Sequence, residues 1–524
     1  MASITKQTVG NNTYLYESHS FRDDKGRPRN SKMKIGKIDR NTGRARYTPE
    51  YIDRMREAGT PVEIPEINGL EEHVSEALDS LKIYGLFYFL KKLGEKTKLN
   101  KILQMTFPGY WEEIFMLCAY LIGSDKPLMY MEDWIGEHEG YPVGKMSSQR
   151  LSELLGVFGQ KERNEFFTAW CKENTSDEYM AIDITSISSY SNQIPEVERG
   201  YNRDGEDLDH INFCLLFGEK TGLPIYQALY SGSIGDQATL KATLAEVKAV
   251  SGGKTLVLVA DKGFYSIKNV EMLIEKYKGS KFLLAVPFAN KWTMELIMEE
   301  RDKIDRISNL IHTSCSPHRG ITRKIDFNGT PLTAYVFYNP ERNLDDRNHW
   351  YSYVVWLKEL VEAGKDTVAY SKDIEKYLLV QKGSVKIKED VLERRLQTAG
   401  WFVLLGNENL TAQKAYDIYC KKDVIEKAFM KYKNQLGLNR LRIHTEVRMR
   451  NKMFIAFLAL TLVSSIHKVM KEKGLYRKMT MEKMFITLAK LKKVTVNGRG
   501  ILRPLTKEQR NIFIAFGISQ PCVG

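Results

Sequence analysis

The sequence predicts a mixed α/β fold: a central sheet interrupted by a β-rich insertion, preceded by a small β-rich segment and a region of helices. Three observations carry this. After residue 177, short apolar runs of strand type alternate with helical segments. Between about Leu70 and Asn174, apolar residues instead recur at helical spacing, as in LEEHVSEALDSLKIYGLFYFLKKLG and YWEEIFMLCAYLIG. The first 48 or so residues read as short strands joined by turns, with Asp24-Lys25-Gly26 and Asn41-Thr42-Gly43 supplying the turn chemistry.

Taken in order, TYLYESHSF and SKMKIGKID are the N-terminal strands, and Pro49, Pro61 and Pro65 mark residues 49–66 as a linker. In the helical region, KMSSQRLSELLGVFG opens with a serine cap and places Gln149 and Arg150 in its first turn. It reads equally as the second helix of a helix-turn-helix or as another bundle helix. EYMAIDITSISSYS is then a strand, HINFCLLFGEKTGLPIYQALYSG two strands about a Lys-Thr-Gly turn, and ATLKATLAEVKAV a helix. KTLVLVADKG and KFLLAVPF are buried strands on either side of the helix IKNVEMLIEKY. Residues 289–400 are irregular and β-rich, with RKIDFNGTPLTAYVFYN and HWYSYVVWLK as strands. GWFVLLGN is a last strand, and LTAQKAYDIYCKKDVIEKAFMKYKNQLG is one long helix. The expected division is 1–66, 67–175, a catalytic part of 176–288 with 401–475, the insertion 289–400, and a helical tail 476–524.

The 524 residues suffice for several domains. Lys and Arg number 78 against 65 Asp and Glu, a net charge of +13. That excess suggests a polyanionic partner, with a solvated basic surface as the alternative. Six scattered cysteines without CxxC spacing fit a reducing compartment, and a cytoplasmic protein is expected. His312-x-x-Cys315-x-x-His318 lacks a fourth ligand nearby and reads as a loop. The N-terminus has no signal-peptide core, and the apolar run Met453 to Ile466 is too short to span a bilayer; a buried helix and no membrane partner are expected.

Three acids stand out. Asp183 lies within an apolar strand, where an acid is either paired or functional. Asp261 ends LVLVAD with Gly263 just beyond, at the crevice where α/β sheets bind ligands, or else caps the next helix. On the long helix, Tyr419, Lys422, Glu426 and Lys433 share one face beside the apolar stripe Ile425, Phe429 and Leu436; an i,i+4 salt-bridge ladder is the plainer reading. Among rival acids, Asp204, Asp207 and Asp209 read as solvated or as assisting locally, and Asp236 as a helix cap.

The pattern Tyr419-x-x-Lys422-x-x-x-Glu426 followed by Lys433 resembles the Tyr-Arg-Glu-Lys signature of a group of insertion-sequence DDE transposases, with lysine at 422 where arginine is usual. Asp261-Lys-Gly-Phe-Tyr265 and Asp183-Ile-Thr-Ser186 are similar to the segments around that family's two aspartates. So is Gly222-Leu-Pro224 with Tyr230-Ser-Gly232 and Asp236. The resemblance covers about residues 178–470, and the segment ending IGKID is similar to one branch. It implies an RNase H-like catalytic fold and two Mg²⁺ or Mn²⁺ ions held by Asp183, Asp261 and Glu426. Hard cations take oxygen ligands, which agrees with carboxylates and no Cys/His cluster. It implies double-stranded DNA as partner, cut-and-paste transposition through a hairpin, and a homodimer when two ends are brought together. Tyr419, Lys422 and Lys433 would position phosphates, and either Trp401 or Phe402 would stack on a flipped base. Gln149 and Arg150 would contribute to end recognition. A nuclease without strand transfer, or an inactive DNA-binding descendant, would share much of this pattern.

Overall fold

A computed structural model of the chain describes residues 3–10, 12–39, 45–60, 77–174, 178–252, 257–312, 318–381, 384–434, 436–496 and 499–522. The chain divides into two units, residues 1–81 with 493–502 and 523–524, and residues 82–492 with 503–522. In the first unit, β1 (Ser3–Val9), β2 (Asn12–Arg22), β3 (Pro28–Ile38) and β4 (Ala45–Tyr47) form an antiparallel sheet in sequence order. Gly26, at φ 74°, supplies the left-handed turn between β2 and β3. Residues 49–57 correct the linker expectation: they form α1 (Pro49–Glu57). The Thr48 side chain caps it by accepting the Tyr51 N–H, and Pro49 stands where a missing N–H costs nothing. The remaining expected linker, 61–66, lies outside the described residues.

The second unit opens with helices α2 (Gly85–Lys96), α3 (Leu99–Thr106), α4 (Trp111–Gly123), α5 (Met131–Glu137), α6 (Ser148–Val157) and α7 (Gln160–Asn174). α6 begins as its sequence suggests, with the Ser147 hydroxyl accepting the Arg150 N–H, and it buries Leu151, Leu154 and Leu155.

Next come β5 (Met180–Ser188), β6 (His210–Gly218), β7 (Pro224–Ser231), α8 (Asp236–Val250), β8 (Val257–Ala260), α9 (Ile267–Lys276) and β9 (Lys281–Ala285). After α10 (Lys291–Glu300), the insertion contributes β10 (Leu310–Ile311), β11 (His318–Phe327) and β12 (Thr330–Tyr338), and β15 (Trp401–Gly406) closes the set. All nine strands make one sheet in the order β10-β11-β12-β15-β9-β8-β5-β6-β7. Only β9–β8 and β8–β5 pair in parallel, so the sheet is mixed, as expected. Its central strands are apolar on both faces because both are covered.

The second half of the insertion departs from its β-rich reading. HWYSYVVWLK lies within α11 (Pro340–Glu362), not in a strand; Asn339 caps this helix and Pro340 is its first residue. The stripe Trp350, Tyr353, Val354 and Leu357 has helical spacing, and burial on a satellite core outweighs the strand propensity of its aromatic and β-branched members. α12 (Ser371–Tyr377), the hairpin β13 (Leu378–Gln381) and β14 (Ser384–Ile387), and α13 (Glu389–Leu396) complete this lobe.

The expected single long helix is two: α14 (Ala412–Cys420) and α15 (Asp423–Asn434), joined through a turn at Lys421 and Lys422. α16 (Glu446–Glu472) contains the apolar run Met453 to Ile466. It is long and apolar enough to cross a membrane, but Met453–Val463 are each no more than 1% exposed, and it forms the core of this unit. α17 (Met481–Ala489) and α18 (Lys507–Phe516) end the chain's helices.

Candidate active site

Two parallel strands bring the first two acids together. Ile182 of β5 pairs with Ala260 of β8, so Asp183 and Asp261, the next residue on each, emerge side by side. The turn between α14 and α15 delivers the third group from across the sheet. Lys422, only 5% exposed, sets its ammonium 3.6 Å from Asp183 Oδ2, 3.5 Å from Asp261 Oδ2 and 3.6 Å from Glu426 Oε1.

The aspartates are held so that one oxygen each remains for a cation. Asp183 Oδ1 accepts the Ile184 N–H at 2.8 Å. Asp261 Oδ1 accepts the Lys262 N–H and the Tyr419 hydroxyl, both at 2.9 Å. In both residues Oδ2 is the oxygen turned to the ammonium. Burial pushes Asp183 up to about 6 despite the opposing charge of Lys422. Burial would also raise Asp261, but Lys422, the Lys262 N–H and the Tyr419 hydroxyl together hold it below the usual aspartate value. Lys422 is raised because three carboxylates outweigh its desolvation. Burial and the Asp261 charge keep the Tyr419 hydroxyl protonated well above its ordinary range.

Asp261 and Glu426, 42% and 58% exposed at their side chains, open onto a cleft of about 790 Å³. The two aromatics of β15 part company there, as strand alternation requires. Trp401 is buried, with its ring 5.0 Å from that of Tyr338. Phe402 is half-buried on the cleft wall, 4.8 Å from the Tyr419 ring and 5.9 Å from Phe337.

The other expected contacts are engaged within the chain. Lys433 Nζ pairs with Asp204 at 2.6 Å, so of the two readings of this acid the local one holds. Arg150 forks onto Glu113 at 2.9 and 2.7 Å, and Gln149 donates to Glu153 at 3.1 Å. Of the segment His312-x-x-Cys315-x-x-His318, read as a loop, Cys315 lies outside the described residues, while His318 opens β11 and contacts Tyr416 at 2.9 Å.

The sequence reading missed several parts of the site. Asp236 is not the cap of α8 but its first residue, ion-paired with Arg203, whose Nη1 also donates to Asn212 at 2.9 Å. A Cβ on Gly263 would lie 2.5 Å from Asp236 Oδ2, so the glycine after Asp261 lets the strand-end loop seat on this pair. Arg342 and Arg395, from the helical lobe of the insertion, also line the cleft. Gly263 and Asp236 stood out in the sequence; Arg203, Arg342 and Arg395 left no signal there.

Among the described residues no three acids, histidines or cysteines form a ready metal cage; the three carboxylates stand around an ammonium instead. That ammonium is an informative stand-in: the position stabilises positive charge with hard oxygen donors, the chemistry a divalent ion needs.

A family model described as the transposase DDE domain matches residues 175–462, more than half of the chain, and spans all three acids. The chain belongs to the DDE transposases, a family that acts in DNA transposition and uses divalent metal ions. A search of curated proteins finds no match. Among solved structures the chain is similar to a piggyBac transposase in a synaptic complex with hairpin DNA. The two share 13% identity over 77% of this chain and 78% of that one, with a TM-score of 0.40.

Proposed function

We propose that this protein cleaves DNA at transposon ends and joins the freed 3′-hydroxyl to target DNA, passing through a hairpin, with Asp183, Asp261 and Glu426 holding two Mg²⁺ or Mn²⁺ ions. The observation that carries the reading is the convergence of the three carboxylates on one buried cationic position at the edge of an open cleft. The ions would supply activation of the attacking oxygen and stabilisation of the leaving one. The chain's own residues do the rest. Main-chain N–H groups and Tyr419 fix the aspartate oxygens, and Phe402 offers a face for an unstacked base. Arg342 and Arg395 offer guanidinium forks for phosphates along the cleft. Lys433 contributes to phosphate binding by exchanging Asp204 for it. Gln149 and Arg150 remain candidates for end recognition, Arg150 at the cost of its Glu113 pair, and two copies would hold the two ends.

The test is incubation of purified protein with labelled terminal-repeat DNA and Mg²⁺, resolving nicked, hairpin and joined products. Asp183→Asn, Asp261→Asn and Glu426→Gln should each abolish nicking while DNA binding persists. Full cleavage by any of them removes that residue from the site. Nicking without any joined product favours a nuclease that lacks strand transfer.

A further inference from the structure

Beside the α14–α15 turn lies a second groove, of about 890 Å³, walled by α15, the last turns of α16 and the β6–β7 turn. Six lysines line it against three acids, and two of those acids are already matched, Glu219 with Lys421 and Asp423 with Lys427. Lys468 is anchored on the carbonyls of Lys220 and Thr221 at 2.9 and 3.0 Å, which fixes its charge at the rim. Lys431 and Lys471 pair with no carboxylate among the described residues. Ser464, 3% exposed, lines the groove with a buried hydroxyl that has no hydrogen-bond partner.

These features concentrate positive potential that the fold leaves uncompensated. Burial, reinforced by Lys427, pushes Lys431 down to about 8. Burial and the charges of Lys431, Lys471 and Lys427 push His467 down to about 4, so the imidazole is neutral and does not add to the repulsion. Holding an ammonium half-buried beside like charges is unfavourable unless an anion arrives. The groove adjoins the cleft beside the carboxylates, since Cys420 lines both.

We infer that this groove is a phosphate track for DNA, seating the backbone of the segment that continues past the carboxylate site over the α14–α15 turn. Lys431 and Lys471 neutralise its phosphates, and the Ser464 hydroxyl donates to a phosphate oxygen. The inference rests on the transposase reading, and the experiment separates the two.

A fluorescent random-sequence duplex of about 40 bp is titrated with full-length protein over a salt series. Lys431→Met with Lys471→Met, which keeps most of each stem, is compared with Lys365→Met and Lys372→Met, two exposed lysines of the insertion lobe. Each lost phosphate contact lowers the slope of log K against log salt by about 0.9, so the groove pair should lower it by about 2 and weaken binding roughly tenfold or more at low salt. The control pair should change neither, and thermal melting checks that both variants fold. An unchanged slope in the groove variant, or an equal fall in the control, overturns the phosphate track while leaving the catalytic reading standing. No salt-dependent binding by the unaltered protein overturns both.

Discussion

At the scale of single residues, Lys422 decides the behaviour of the metal-free site. One ammonium is shared by three carboxylates and offsets only part of their charge, so its removal leaves them facing one another without it. Breaking a buried pair costs about 3–5 kcal/mol, and the partial exposure of Asp261 and Glu426 reduces this to roughly 2–3 kcal/mol here. Lys422→Met should therefore lower the melting temperature of metal-free protein, and Mn²⁺ should restore more stability to it than to the unaltered chain. Equal Mn²⁺-induced shifts in the two proteins would show that the lysine and the ion do not compete for one position. Asp183 adds a pH dependence. Its folded value of about 6 lies above the unfolded aspartate value, so the folded, metal-free site binds a proton more tightly than the unfolded chain does. The stabilisation from that proton is complete below the unfolded value and is lost as pH rises through about 6. An ion must displace the same proton, so Mn²⁺ affinity, measured by electron paramagnetic resonance, should be flat above about 7. It should fall by about tenfold per pH unit below about 6. A constant affinity across that range would exclude Asp183 as a ligand.

At the scale of elements, the strands around the acids were legible, while the helix at HWYSYVVWLK and the helix junctions were not. MAIDITS and LVLVADKG each announce a buried strand with an acid that has no place in a core, and parallel pairing turns those two oddities into neighbours. Glu426 was legible only as one face of a helix. Nothing local marks the break at Lys421 and Lys422: the segment has no Gly or Pro there, and Ile418, Ile425 and Phe429 keep helical spacing across it. The turn is a tertiary effect, because it places the Lys422 ammonium among acids that come from strands more than 150 residues earlier. The same limit applies to β15. Alternation says that Trp401 and Phe402 face opposite ways but not which meets the cleft; both line it, with Trp401 only 5% exposed and Phe402 half-buried, so Phe402 offers the more accessible ring. Trp401→Ala should destabilise the protein by about 3–5 kcal/mol, visible in denaturant unfolding, since it empties a packed site. Phe402→Ala should leave stability and nicking nearly untouched and slow hairpin closure roughly 5- to 150-fold, the kinetic equivalent of about 1–3 kcal/mol of lost base stacking. Normal hairpin rates in a folded Phe402→Ala protein would remove this ring from the DNA path.

At the scale of the whole molecule, the insertion is two things joined. Its first half extends the nine-stranded sheet through β10, β11 and β12, and its second half is a separate lobe with its own core of Val354, Leu357, Tyr377, Leu378, Leu392 and Leu396. The lobe leaves and re-enters the sheet at one point: Tyr338 of β12 lies opposite Trp401 of β15, and the Asn339 N–H donates to the Gly400 carbonyl at 2.9 Å. Gly400, at φ 74° and with Asn339 O only 2.6 Å from where a Cβ would stand, makes that tight return possible. Replacing residues 340–399 by a two-residue Asn-Gly turn therefore joins strands that are already antiparallel neighbours. The shortened protein should melt cooperatively and bind Mn²⁺ within a few-fold of the intact chain, because no carboxylate of the site and no strand of the sheet has been removed. It should lose Arg342 and Arg395 from the cleft, and with them charge-assisted phosphate contacts of about 1.5–3 kcal/mol each. Cleavage of terminal DNA should then fall by at least about a hundredfold while Mn²⁺ affinity persists. A shortened protein that folds, binds Mn²⁺ and cuts at the full rate would show that the lobe takes no part in holding DNA at the site. One that folds but no longer binds Mn²⁺ would show instead that the lobe supports the carboxylates themselves.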